Sequence, residues 1–115
     1  MTRLLKVFVG LLLCSLPIST PATTLASWYG KQHRGHKTAS GEQFNPDDLT
    51  AASWIYPFGT LLKVTNLKNH KSVVVRVSDR GPGVPGRGLD VSECAAELLG
   101  FKHAGLARVT VEVVK

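Results

Sequence analysis

The ten residues Val73-Val74-Val75-Arg76-Val77-Ser78-Asp79-Arg80-Gly81-Pro82 decide how the rest of this sequence is read. Val73, Val75 and Val77 fall on one face of an extended segment, and Ser72, Val74, Arg76 and Ser78 on the other. β-branched side chains suit a pleated, half-buried strand. The acid, base, glycine and proline that follow stop the strand and force a turn. Asp79 therefore stands at the end of a strand anchored by buried valines, beside a loop, where a rigid element can hold a reactive carboxylate. The plainer reading is that Asp79 caps the turn or pairs with Arg80.

Working outward, Leu61-Leu62-Lys63-Val64-Thr65-Asn66 makes a second strand with Leu62 and Val64 facing inward, and Leu67 to His70 folds it back as a hairpin. Thr24 to Gly30 is a short strand with Leu25, Ser27 and Tyr29 on one face and Ala26 and Trp28 on the other. Its two adjacent aromatics serve either as core or as a platform for a sugar ring, since both uses need a large apolar face. Thr50 to Ser53 is small and extended, and Trp54 to Gly59 is an aromatic-rich connection. Gly81 to Gly88 makes an ordered, non-repetitive loop passing close to other backbone. Leu89 to Ser92 is extended, and Glu93 to Leu99 is a short helix with Ser92 as N-cap and Gly100 as its stop. Leu106 to Val114 closes the chain as a strand, with Ala107, Val109, Val111 and Val113 alternating against Arg108, Thr110 and Glu112. Short strands with one helix predict a small closed all-β barrel.

The 115 residues hold one small domain, 23–115, behind a leader. Arg3 and Lys6, the apolar run Val7 to Leu16, and Thr20-Pro21-Ala22 follow the order of a secretory signal peptide, 1–22, cut after Ala22. The run is short for a membrane span, so export to the periplasm or cell envelope is expected, without a retained anchor. Lipid attachment at Cys14 is the weaker alternative, because Leu12-Leu13 stand where small residues belong. Cleavage leaves Cys94 as the only cysteine, so no internal disulfide forms. It also lowers the formal charge from +6 to +4, since Arg3 and Lys6 depart while all eight acids remain. A basic exported domain suits an anionic wall polymer. Without a Lys/Arg cluster interleaved with aromatics, nucleic acid is not the partner.

Lys31 to Lys37 reads as a basic surface loop. Its His33 and His36 are three apart, but no second ligand pair at zinc-like spacing follows, so no metal and no cofactor are expected. In Thr38 to Asn45, Ser40-Gly41 sets a turn from which Glu42 emerges beside Phe44. There Glu42 is either an exposed loop residue or an acid whose pKa the aromatic neighbour raises.

Taken in order, Ala26-Ser27-Trp28-Tyr29-Gly30, Thr38-Ala39-Ser40-Gly41-Glu42, Leu49-Thr50-Ala51-Ala52, Pro57-Phe58-Gly59-Thr60, Val64-Thr65-Asn66-Leu67, Val75 to Pro82 and Gly88-Leu89-Asp90-Val91-Ser92 resemble the RlpA-like family of bacterial septal-ring lytic transglycosylases. The resemblance runs from Leu25 to Val114. It implies a six-stranded double-psi β-barrel, shared with expansins, barwin-like proteins and MltA. It implies a monomer acting endolytically on peptidoglycan glycan strands poor in stem peptides. The bond between N-acetylmuramic acid and N-acetylglucosamine is then broken without water, leaving 1,6-anhydro ends. The family's acidic positions match Glu42 and Asp79, and Asp90 stands where expansins keep a second aspartate. On this basis Asp79 is the acid/base, Glu42 its partner and Asp90 the third acid, with proton transfer by Asp90 as the alternative. Trp28 and Tyr29 would stack on sugars. Thr38, Ser53, Arg76, Arg80 and Arg87 would line the groove, the arginines as grips for a lactyl carboxylate or as solvated surface.

Two departures qualify the resemblance. Many members have a histidine where this chain has Ser53, and a hydroxyl cannot carry a proton at neutral pH as imidazole does. Many relatives also carry a C-terminal SPOR domain, whereas this sequence ends at Lys115 with the barrel, so septal targeting by that route is not expected. The rival reading is a non-catalytic, expansin-like module that binds glycan and loosens the wall. A secreted scaffold or inhibitor barrel is a third.

Overall fold

The computed structural model describes residues 21–114; most of the expected signal segment, with Cys14, lies outside them. Its strands are β1 (Ala22–Tyr29), β2 (Thr50–Ala52), β3 (Leu61–Asn66), β4 (Ser72–Asp79), β5 (Arg87–Ser92) and β6 (Ala107–Val113), with a 3-10 turn at Lys31–His33 and helix α1 (Glu93–Leu99). They close into a barrel in the order β1-β5-β2-β4-β3-β6. The pairs β1/β5 and β2/β4 are parallel, and the other four are antiparallel. Parallel neighbours cannot be joined by a tight turn, so each parallel pair is reached by a crossover. The result is the six-stranded double-psi barrel that the sequence motifs imply. No helix among the described residues is long and apolar enough to cross a membrane.

The valine strand does what its alternation predicts. Val75 and Val77 are fully buried, and in the hairpin Leu62 pairs with Val75 and Val64 with Val73. Leu62, Val64, Leu89, Val91 and Val109 fill the interior with them. At the barrel's end, α1 buries Ala95, Ala96 and Leu99. Ser92 caps it by accepting from the Ala95 N–H at 3.3 Å, and Gly100 stops it at φ 78°, a left-handed conformation that glycine takes without strain. The buried Asn66 donates from Nδ2 to the Leu99 carbonyl at 2.9 Å and so ties the helix end to the hairpin. One expectation fails at the chain's last strand. Val113 is exposed although Val109 and Val111 are buried, because it is the final residue of β6, where the strand leaves the core.

Two register shifts interrupt the ladders. Between β1 and β5 the pairing passes from Leu25–Arg87 to Ala26–Leu89 and skips Gly88. A Cβ there would collide with the Thr24 side chain, so the close approach requires glycine. Between β2 and β4 it passes from Ala51–Val77 to Ala52–Asp79 and skips Ser78. Val77 and Ser78 are consequently buried in succession. Strict alternation would have put Asp79 on the face of Val75 and Val77, in the apolar interior; the bulge turns it to the other side.

Leu62 is enclosed by this core, and its truncation leaves a void that the barrel cannot collapse. Leu62→Ala is expected to lower stability by about 3 kcal/mol. A fall in the urea midpoint with an unchanged far-ultraviolet spectrum is the readout.

Candidate active site

In the barrel order β1-β5-β2-β4, the residues Ser27, Asp90, Ala52 and Asp79 form one continuous row. Ala52 is in register with Asp79 on one side and Asp90 on the other. Directly opposed residues project to the same face of a sheet. Two strand spacings set the two aspartate Cα atoms roughly 10 Å apart, and the methyl group of Ala52 leaves the space between them open. An open cleft of about 330 Å³ lies over this row. Its lining includes Tyr29, His33, His36, Thr38, Phe44, Ala52, Asp79, Arg80, Pro82 and Asp90.

The two carboxylates differ in surroundings. Asp79 accepts from the Ala39 N–H at 2.9 Å and the Arg80 N–H at 2.8 Å, both at Oδ1. Two backbone donors fix its rotamer. Asp90 accepts one hydrogen bond, from the Ser27 hydroxyl at 3.0 Å. Burial raises its pKa above the usual carboxylate value; the Ser27 bond and the charges of His33 and Arg87 oppose the rise, and the Asp79 charge adds to it. Tyr29 sits among these groups. Burial and the charges of Asp79 and Asp90 raise its pKa, so it stays a neutral phenol. Its hydroxyl and that of Thr50 are buried and close no hydrogen bond, although Thr50 and Ser78 lie near enough to the phenol to ease its ionisation slightly.

The other expected site residues divide. Thr38 lines the cleft, but its hydroxyl is occupied within its own turn, bonding the Glu42 carbonyl and the Ser40 hydroxyl at 2.9 Å each. Arg80 lines the cleft too, while one guanidinium nitrogen is committed to the carbonyls of Ser53 and Tyr56 at 3.0 and 2.9 Å. Glu42 does not line it. Its carboxylate is held bidentately by Arg76 at 3.1 and 3.0 Å. The pair is partly exposed and contributes under about 1 kcal/mol, but it fastens the 38–42 turn to β4. Arg76 and Arg87 likewise lie outside the lining, Arg87 acting on Asp90 only through its charge.

Three expectations need correction. Trp28 does not face the cleft: it packs against the core and donates from Nε1 to the Lys102 carbonyl at 3.0 Å. Adjacent residues of a strand point to opposite faces, so Trp28 and Tyr29 cannot share one platform. Tyr29 is a wall, not a platform, with its ring 4.4 Å from that of Phe44 and its hydroxyl buried. Ser53 is fully buried and faces no substrate. It caps the next turn, accepting from the N–H groups of Ile55 and Tyr56 at 3.1 and 3.4 Å. His33 and His36 are exposed on their loop, as expected, and also line the cleft that holds Asp90. Their proximity to the strand ends is a tertiary fact with no local signature, apart from the 3-10 turn that follows Gly30 and folds the loop back.

A closed double-psi barrel carrying paired aspartates in one open cleft defines the class of protein. A lytic transglycolase family model matches residues 22–111, and the chain belongs to that family. It is 50% identical over 91 residues to the probable endolytic peptidoglycan transglycosylase RlpA of Synechocystis, a match covering 79% of this chain and 28% of that one. It is also 50% identical over 99 residues to the endolytic peptidoglycan transglycosylase RlpA of Rickettsia bellii, covering 84% and 44%. The chain therefore spans less than half the length of either relative. Among solved structures, an expansin of Clavibacter michiganensis superposes with a TM-score of 0.67 at 26% identity, over 84% of this chain and 51% of that one. A Streptomyces papain inhibitor shares the fold at 0.68 and 21% identity, over 88% and 100%.

The raised pKa of Asp90 has a consequence for stability. Between the unfolded carboxyl value, about 3.9, and the higher value in the barrel, the native state holds more protons than the unfolded one. Stability contributed at this site therefore falls as pH rises through that window. Asp90→Asn is expected to remove this part of the slope. Urea midpoints of both proteins, measured between about pH 4 and pH 7, should differ least at the acid end, where Asp90 is protonated, and diverge as pH rises, with the wild type losing stability relative to the variant.

Proposed function

We propose that this barrel is an endolytic peptidoglycan lytic transglycosylase acting on glycan strands poor in stem peptides. The observation that carries the proposal is the placement of Asp79 and Asp90 across Ala52 in an open cleft. Carboxyl groups projecting to one face from strands on either side of Ala52 can both reach a sugar bound between them, as the paired acids of glycoside-cleaving enzymes do. The names of the RlpA relatives support the substrate, and the expected export signal would place the enzyme in the periplasm or cell envelope, where the substrate lies.

Asp90 is the proton donor, because its burial keeps it protonated to higher pH than an ordinary carboxyl. It protonates the O4 leaving oxygen of N-acetylglucosamine as the bond to C1 of N-acetylmuramic acid breaks. Asp79, fixed by two N–H donors, faces the positive charge that develops at C1. The muramic C6 hydroxyl then attacks C1 and returns its proton to Asp90, closing the 1,6-anhydro ring. No water is consumed, and the nucleophile is already part of the substrate. Glu42 is a positioning residue: through Arg76 it anchors the turn whose Ala39 N–H orients Asp79. His33, His36 and Lys37 add basic character near the acids, suited to a lactyl carboxylate.

The second reading, an expansin-like module that binds glycan without cutting it, draws on Ser53. Where many relatives have imidazole, this chain has a buried hydroxyl used to cap a turn. Peptide-free glycan strands incubated with the protein in ¹⁸O-labelled water separate the two. Unlabelled 1,6-anhydro ends in the mass spectrum are expected from the wild type, with Asp79→Asn and Asp90→Asn slower by about 10²-fold or more. Ala52→Leu, at a position only 4% exposed, should be comparably impaired as its side chain intrudes between the carboxylates, with circular dichroism at the assay temperature checking that the variant is folded. Binding without new ends would instead establish the non-catalytic module.

A further inference from the structure

The segment that follows β2 holds its largest apolar side chains outward. Trp54 is 65% exposed and Ile55 76%. The segment is nevertheless tightly fixed. Ser53 Oγ accepts from Ile55 and Tyr56, and Arg80 donates to the carbonyls of Ser53 and Tyr56. The same guanidinium lies 3.9 Å over the Phe58 ring. Trp54 itself donates from Nε1 to the Pro82 carbonyl at 2.7 Å. Pro82 and Arg80 are both cleft-lining residues, so the indole is hydrogen-bonded to a segment that forms part of the cleft wall.

A rigidly held, solvent-facing tryptophan contiguous with a cleft offers a preorganised flat apolar surface. Resting on the glycan reading of the cleft, we propose that Trp54 is a stacking subsite for a sugar ring of the same strand, beyond the bond being cleaved. A pyranose presents an apolar C–H face rimmed by hydroxyls. It can cover the indole while its hydroxyls stay in water, which a fully apolar partner cannot do. A strand leaving the cleft over Pro82 meets Trp54 next. Ile55 beside it suits the methyl of an N-acetyl group, which both sugars of the polymer carry. Trp54, rather than Trp28, is then the aromatic that grips substrate, and its contribution grows with the length of the strand.

The test compares the full protein with Trp54→Ala and Trp54→Phe. The probes are peptide-free glycan strands and N-acetylglucosamine oligomers of two and six sugars, with affinities measured by calorimetry. Trp54→Ala is expected to weaken binding of strands and of the six-sugar oligomer about tenfold, to raise KM for strands, and to leave the two-sugar affinity alone. Trp54→Phe should recover most of the loss, and melting temperatures should show that all three proteins fold. Equal long-oligomer affinity in wild type and Trp54→Ala overturns the subsite while leaving the glycan reading intact. Equal affinity together with loss of a dimer on light scattering would make the shelf a self-association face, and also overturns it. Failure of the wild type to bind any of the probes removes both the subsite and the function on which it rests.

Discussion

The position of β2 between β4 and β5 is the constraint on which the site depends. A strand of three residues, Thr50–Ala52, pairs in parallel with one neighbour and antiparallel with the other. That mixed pairing brings the end of β4 beside the middle of β5, which a simple meander would separate. Asp79 and Asp90 are linked by a loop rich in glycine and proline, yet they meet across Ala52 because backbone hydrogen bonds to β2 fix both registers. The site's geometry is thus a property of the ladder, not of the loops, and inherits the ladder's rigidity.

The bulge at Ser78 is the second half of that constraint. In an uninterrupted β4, the period of two that buries Val75 and Val77 would also bury Asp79 among apolar side chains. One skipped residue reverses its side, and Ser78, small and polar, is the residue that takes the interior place. The loops then finish the site. Glu42 and Arg76 hold the 38–42 turn so that Ala39 reaches Asp79, while Arg80 and Trp54 hold the 53–58 and 80–83 segments together. Several side chains of the kind usually credited with touching substrate instead fasten loops. The difference between the two acids follows from this arrangement: one is held by backbone donors, the other is left in a drier environment.

Much of this barrel could be read from the chain alone. Valines at every second position gave β4, Leu62 and Val64 its hairpin partner, and Ser92 and Gly100 the limits of α1, because each signal is local and rests on side-chain period or backbone conformation. Asp79 was likewise legible as an acid at a strand end, and Asp90 as an acid in an extended piece that matches a family motif. Closure into a barrel was expected too, from the short strands and the family motifs; which strands pair, in which direction, and where the bulge falls were not read, since they depend on which strands become neighbours. For the same reason the aromatic at position 28 looked eligible and the one at 54 did not. A side chain's type is written in the sequence, but whether it faces the cleft or the core is set by packing. Ser53, buried under Ile55 and Tyr56, and His33, folded back beside Asp90, owe their places to contacts between residues distant along the chain, and only the tertiary structure decided those.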